Sequence, residues 1–228
     1  MMVGRSDGVS ERERWSVLMV CTGNICRSPM AERLALARLT RLAGQAGLSG
    51  ASEPAASVSS AGVRARVGEP MDTHAATVLA ERGADFVGFR SRQVTSVIVD
   101  QADLVLCATR AHRAEVVRLA PRTVRRAFTL REFARLIDTV ESERVESSVA
   151  ELAAHDRRGR LRAAGRTLVM AGAAARGVLP PAAPEDDDLV DPVGCDLDAF
   201  RACAEAIEAA LQPPTRLLGV LLGTVAAR

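Results

Sequence analysis

Hydrophobic and polar positions along the chain change period in a repeating order. Residues 15–20, WSVLMV, are an apolar, partly β-branched run with no polar face, the pattern of a strand covered on both sides in a parallel sheet. After the loop CTGNICRS, Met30, Leu34, Leu36, Leu39 and Leu42 recur at helical intervals, with Ser28 expected as N-cap and Pro29 as the first helical residue. Residues 58–61 predict a second strand, approached through a Ser/Ala/Gly-rich linker at 46–57. Pro70 is expected to open a second helix, carried by Met71, Ala75, Val78 and Leu79 and stopped at Gly83. A strand at 103–107, a helix at 111–119 capped by Thr109, a strand at 126–129 and a helix at 130–137 follow. Strands separated by helices imply right-handed crossovers and a parallel sheet, so the fold class is α/β.

The text changes after residue 137. Residues 138–175 are rich in Ala, Arg and Glu, and Val145, Val149, Leu152, Leu161 and Leu168 predict two helices broken near Arg158 and Gly159. This reads as an inserted helical hairpin within about 138–184. The segment VLPPAAPEDDDLVDP is expected to be neither helix nor strand because of its prolines, and to carry its carboxylates on an exposed loop. A last helix at 197–211 is expected to stop before Pro213 and Pro214. The predicted organisation is a flexible segment at 1–14, one domain at 15–212 and a tail at 213–228. Residues 217–227 are apolar, but only about half as long as the roughly 20 residues of a membrane span, and read as a packing tail.

Composition narrows the function. A chain of 228 residues with 48% hydrophobic content can bury one sizeable core. Thirty basic and 28 acidic residues leave a net charge of +2 with no basic stripe, and aromatics are only 3%, with no Tyr. Nucleic acid is therefore not an expected partner. The polar N-terminus has no apolar core of a secretory signal, which predicts a cytoplasmic protein. Cys21, Cys26, Cys107, Cys195 and Cys203 are odd in number and irregularly spaced, fitting reduced thiols rather than a disulfide framework or a zinc site. His74, His112 and His155 are expected to be surface or satisfied residues. The acidic run at 185–188 is expected to be solvated, and Cys195 and Cys203 to serve packing. No metal or cofactor is called for.

The loop after the first strand carries the chemistry. Between a buried strand and a helix N-terminus, successive backbone N–H groups form a concavity that prefers an anion. Cys21 stands at its start and Arg27 at its end. A guanidinium grips two phosphoryl oxygens in a fork, while a thiolate beneath the phosphorus is placed for in-line attack. A helix N-terminus and a neighbouring cation both favour a cysteine's thiolate, and Cys21 is expected to have both. Ser28 is placed to donate its hydroxyl to that thiolate, and Gly23 is expected to permit the tight backbone.

The stretch VCTGNICRSPMAE at 20–32 resembles the signature of the low-molecular-weight protein tyrosine phosphatase family. SSAG at 59–62, GEPMD at 68–72, SRQV at 91–94, DLVLCATRAHR at 103–113 and a late Asp191-Pro192 agree in order. The resemblance implies a flavodoxin-like four-stranded parallel sheet flanked by helices. It implies a redox-sensitive hydrolase acting on phosphomonoesters of phosphotyrosine type through a cysteinyl-phosphate, with no cofactor. By position, Cys21 is the nucleophile and Arg27 the phosphoryl clamp. Asp191 is the general acid, then the base for water. Thr22, Gly23, Asn24, Ile25 and Cys26 form the cradle, Asn24 and Ser60 brace it, and Ser28 supports the thiolate. Cys26 matches a cysteine able to form a protective disulfide with the nucleophile. The partner is a phosphorylated protein or a small phosphoester. Three departures stand out: Val193 follows Asp191-Pro192 where the family usually has an aromatic residue, the segment before SRQV reads GFR, with Phe89, where the family often has His, and the absence of Tyr leaves thin aromatic walls for a phosphotyrosine ring. An arsenate reductase of the related fold and a phospho-ligand-binding module without turnover are the alternatives.

Overall fold

The computed structural model describes residues 14–48, 56–140 and 157–224. Four strands, β1 (Trp15–Cys21), β2 (Ala56–Gly62), β3 (Leu104–Cys107) and β4 (Ala127–Thr129), form one parallel sheet in the order β2-β1-β3-β4. Alternate residues of β1 enter different cores: Trp15, Val17, Met19 and Cys21 face one layer of helices, Leu18 and Val20 the other. This double burial is why the strand reads as continuously apolar. Strand order reverses beside β1, and the crevice at such a point opens at the C-terminal ends of the strands. The register sets Cys21 level with Gly62 on β2, and Val20 level with Cys107 on β3.

Helices α1 (Arg27–Gln45), α2 (Thr73–Glu81), α3 (Ser96–Gln101), α4 (Arg110–Leu119), α5 (Leu130–Asp138), α6 (Arg157–Val178), α7 (Pro184–Asp187) and α8 (Leu197–Leu221) cover the sheet. The α/β architecture, the four parallel strands and the helix signalled by Thr109 agree with the expectations. Thr109 caps α4 by accepting from His112 N. Thr129 and Glu132 form a reciprocal capping box on α5. Helix α3 has no counterpart among the sequence expectations.

Several boundaries differ for physical reasons. Helix α1 begins at Arg27 with Cys26 at the cap position, so Ser28 lies in the first turn and is not the N-cap. Its hydroxyl is engaged by Cys21 and Asn24 instead. Helix α2 begins at Thr73 rather than Pro70, because Asp72 caps it by accepting from His74 N and Ala75 N. The prolines of the acidic segment do not exclude helix: Pro184, in the first turn where its missing N–H costs nothing, opens the single turn α7. Helix α8 runs through Pro213 and Pro214 to Leu221, so the expected stop is not observed. Leu217, Leu218, Leu221 and Leu222 are buried. At about 1.5–3 kcal/mol each, their burial is enough to offset a penalty of about 3 kcal/mol or more per proline. No helix among the described residues is long and apolar enough to cross a membrane.

The second helix of the expected insertion is α6, with Leu161 and Leu168 fully buried, and it is helical through Arg158 and Gly159. The first, with Val145, Val149 and Leu152, lies outside the described residues, as do His155, most of the linker and residues 1–13 of the N-terminal segment. Arg176 of α6 lies 3.8 Å over the Phe128 ring and bonds Glu132 at 2.7 Å and the Ala127 carbonyl at 2.9 Å, closing the β4 edge. At its other end α6 meets β1 through Gly165, where an added Cβ would stand 2.3 Å from the Trp15 indole. Trp15 is buried, so the ring cannot yield. Gly165→Ala is expected to cost roughly 1–3 kcal/mol of unfolding free energy in a urea titration. An unchanged midpoint and slope would mean that α6 does not dock on Trp15.

Candidate active site

The loop joining β1 to α1 is held from outside by its carbonyls. Cys21 O accepts from Val63 N at 2.9 Å, Thr22 O from Arg64 N at 3.0 Å, Gly23 O from Arg66 N at 3.0 Å and Ile25 O from Asp72 N at 2.9 Å. Ser91 Oγ adds a bond to Gly23 O at 2.9 Å. These anchors explain why the motifs SSAG, GEPMD and SRQV accompany the loop: each supplies or adjoins a donor. With its carbonyls turned outward, the N–H groups of residues 22–26 donate to no protein acceptor among the described residues. They stand ready for an anion at the start of α1.

Asn24 sets the curvature. It is the one non-glycine with positive φ among the described residues, at 55°, and is fully buried. Gly23 was expected to provide this freedom; a Cβ there would meet only the Ile25 side chain, at 3.5 Å. The glycine that cannot change is Gly62, where a Cβ would stand 2.4 Å from Thr22 O. The Asn24 amide orientation is fixed because Oδ1 accepts from Arg92 N at 2.9 Å, a group that can only donate. Its Nδ2 therefore donates to Ser28 Oγ at 2.9 Å and Ser60 Oγ at 2.8 Å. Ser60 passes its own hydrogen to Glu32 Oε2 at 2.5 Å. Burial pushes the Glu32 carboxyl up from the ordinary range, against the lowering effect of the Ser60 bond. Ser28 Oγ lies 2.9 Å from Cys21 Sγ and is the donor when the sulfur is a thiolate.

Arg27 is buried behind the loop, with Nη1 on Leu189 O at 3.2 Å and Nη2 on Asp191 Oδ2 at 2.5 Å. Its Nε is buried with no protein partner. Asp191 is half-exposed, and its carboxylate reaches the cleft because the acidic segment is pinned on both sides. Asp187, expected in solvent, is buried and ion-paired with Arg135 at 3.2 Å. Asp188 Oδ1 accepts from Arg110 N at 2.8 Å, and Leu189 N bonds Ala108 O at 2.8 Å.

The resulting cleft has a volume of about 180 Å³. Cys21, Thr22, Gly23, Ile25, Cys26 and Arg27 line its floor, with Asp191 and Val193 on one side and Arg64 and Arg66 on another. Asn24, Ser28 and Ser60 lie beneath as braces. Burial, followed by Asp72, pushes the Cys26 thiol far up. Burial also raises Cys107, and Cys203 to about 11. Cys195 is exposed. Among the described residues no group of three or more His, Cys, Asp or Glu is placed to hold a metal ion.

Sequence reasoning missed Glu32, although it closes the quoted signature, and the part played by His112. The latter is satisfied, as expected, but its partners matter: Nε2 meets Thr22 Oγ1 at 2.8 Å and Nδ1 meets Thr109 Oγ1 at 2.8 Å, tying the cradle to the α4 cap. The only sequence signal was its place three residues after that cap. Burial, then Arg27, lowers His112 to about 4.

A family model described as low molecular weight phosphotyrosine protein phosphatase matches residues 16–146, and the chain belongs to that family. It is 40% identical over 106 residues to the low molecular weight protein-tyrosine-phosphatase Etp of Escherichia coli K12, covering 46% of this chain and 62% of the relative, so it spans under two thirds of that relative's length. It is 36% identical over 119 residues to a protein-arginine-phosphatase of Geobacillus stearothermophilus, covering 52% and 71%. Among solved structures, the Erwinia amylovora tyrosine phosphatase AmsI shares the fold, with a TM-score of 0.56 at 24% identity over 87% of this chain and 89% of that one.

The His112 environment predicts a pH effect. A folded value of about 4 against an ordinary 6.5 is a depression, so its stabilising contribution is complete above pH 6.5 and is lost as pH falls toward 4. The full linkage is about 3 kcal/mol. The stability difference between the wild type and His112→Gln, from urea unfolding at successive pH values, is expected to shrink across that window. A constant difference would contradict the assignment.

Proposed function

We propose that the chain is a low-molecular-weight protein-tyrosine-phosphatase that hydrolyses phosphomonoesters through a cysteinyl-phosphate on Cys21. The observation that carries this reading is Cys21 Sγ at 2.9 Å from the Ser28 hydroxyl, on the floor of a cleft that Arg27 and Asp191 also line. The phosphoryl group enters over the amides of residues 22–26. It takes the Arg27 fork, displacing the Asp191 carboxylate from Nη2, and that carboxylate takes the proton that a monoanionic phosphoryl group brings with it. Cys21 attacks phosphorus as the bond to the ester oxygen breaks, and Asp191 gives that oxygen its proton. Asp191 then removes a proton from water, which attacks phosphorus and releases the Cys21 thiolate and phosphate.

Ile25 and Val193 give the cleft apolar sides, which suits an aryl phosphate. The cationic Arg64 and Arg66 oppose a guanidinium, favouring phosphotyrosine over phosphoarginine. Arsenate reduction is disfavoured because its relay needs cysteines beyond the Cys21 and Cys26 that line the cleft, and Cys107 and Cys203 are buried while Cys195 does not line it. A non-catalytic binding module has no use for Cys21, Ser28 and Asp191 together. The free thiols suit a reducing compartment, and we assign the cytoplasm.

Cys21→Ser is expected to abolish turnover while vanadate binding persists, since the cradle is built of amides and Arg27. A general acid contributes roughly 10²–10⁴-fold when the leaving oxygen needs a proton. Asp191→Ala is therefore expected to lower kcat/KM far more for phenyl phosphate than for p-nitrophenyl phosphate, with replacement of the exposed Asp186 by Ala as a control lacking that difference. Equal losses on both substrates would remove Asp191 from the role.

We assign redox sensitivity to a disulfide that Cys21 and Cys26, free thiols that both line the cleft, form on oxidation. Peroxide inactivation of the wild type is expected to be reversed by a thiol reductant, and that of Cys26→Ser to become irreversible as Cys21 reaches the sulfinic acid. Equal recovery of the two proteins would refute the pairing.

A further inference from the structure

We infer that Arg64 and Arg66 form a second anion subsite at the cleft mouth, selecting phosphotyrosine segments with an acidic residue beside the phosphotyrosine. The inference rests on the phosphatase reading and adds a substrate class to it. Both side chains line the cleft that holds Cys21 and Arg27. Their backbones are bonded directly to the cradle, Arg64 N to Thr22 O and Arg66 N to Gly23 O, each at 3.0 Å, and Ala65 N between them bonds Gln93 Oε1 at 2.9 Å. Two guanidinium groups are thus rooted at fixed points against the loop that binds the phosphoryl group.

The charges around the cleft do not balance. Three arginines and one carboxylate, Asp191, line it, and a bound phosphoryl dianion engages Arg27. Arg64 pairs with Glu115 at 3.2 Å and Arg66 with Glu69 at 3.6 Å, but Arg64, Arg66 and Glu69 are well exposed and Glu115 is half-buried. Exposed pairs contribute little and are readily exchanged for a better-placed anion. A cleft of about 180 Å³ is below the roughly 300–1,000 Å³ of pockets that enclose a whole ligand. It takes the phosphoryl group and its ring, leaving the rest of the substrate on the rim where these arginines stand. Peptide is favoured over a small phosphoester because Val193, which lines the cleft, and Val190 are exposed and offer apolar surface to a chain.

The test compares kcat/KM of the full chain on two phosphotyrosine peptides differing only in Glu or Gln beside the phosphotyrosine, with p-nitrophenyl phosphate as reference. The Glu:Gln ratio is expected to be roughly 3–10 at low salt, as for an exposed ion pair, and to fall toward one at high salt. Arg64→Gln combined with Arg66→Gln is expected to bring it to about one at low salt, and the double lysine replacement to preserve most of it. A wild-type ratio of one on peptides that are hydrolysed, or a ratio unchanged in the double glutamine variant, overturns the subsite and leaves the phosphatase reading standing. Failure of the wild type to hydrolyse even p-nitrophenyl phosphate overturns the phosphatase reading and the subsite with it.

Discussion

The site depends on one constraint: the loop of residues 21–28 must turn its carbonyls outward and its amides inward. A strand running into a helix has no intrinsic reason to do so. Asn24 imposes the turn by adopting φ of 55°, and the Arg92, Ser28 and Ser60 bonds hold it there. The outward carbonyls are met by Val63, Arg64, Arg66 and Asp72, so segments distant in sequence converge on eight residues. The same amide that bends the backbone directs the Ser28 hydroxyl toward the sulfur. Loop shape and the Ser28 contact with Cys21 are therefore one network, and the partly buried Glu32 terminates it.

A second constraint concerns charge. Arg27 is buried and bonded to Asp191, and the acidic segment would bring several carboxylates close if it were free to move. The fold separates them: Asp187 is tied to Arg135, Asp188 to the start of α4, and only Asp191 is carried into the cleft. Loop position, not local acidity, makes one carboxylate available to a substrate.

The parallel sheet was legible because both faces of β1 and β3 are buried, which leaves uninterrupted apolar runs at 17–20 and 104–107. The loop was legible because Cys21, Arg27 and the helix start lie within one short segment. Tertiary contacts were not. Ser28 looks like an N-cap until its hydroxyl is required by Cys21, and Pro213 looks like a stop until the leucines beyond it are buried. Asp187 and Asp188 look solvated until Arg135 and Arg110 meet them from elements more than fifty residues away. His112 was legible only as a neighbour of the Thr109 cap, because its link to Thr22 spans 90 residues.

The central claim is that this geometry makes Cys21 the atom that receives the phosphoryl group. Rapid acid quench of the enzyme during turnover of p-nitrophenyl phosphate, followed by mass spectrometry of its peptides, tests that claim most directly. The account predicts one added phosphoryl group on the peptide containing Cys21, located on that sulfur and absent from Cys21→Ser. A phosphoryl group on His112 or Cys26, or turnover by Cys21→Ser, would contradict it.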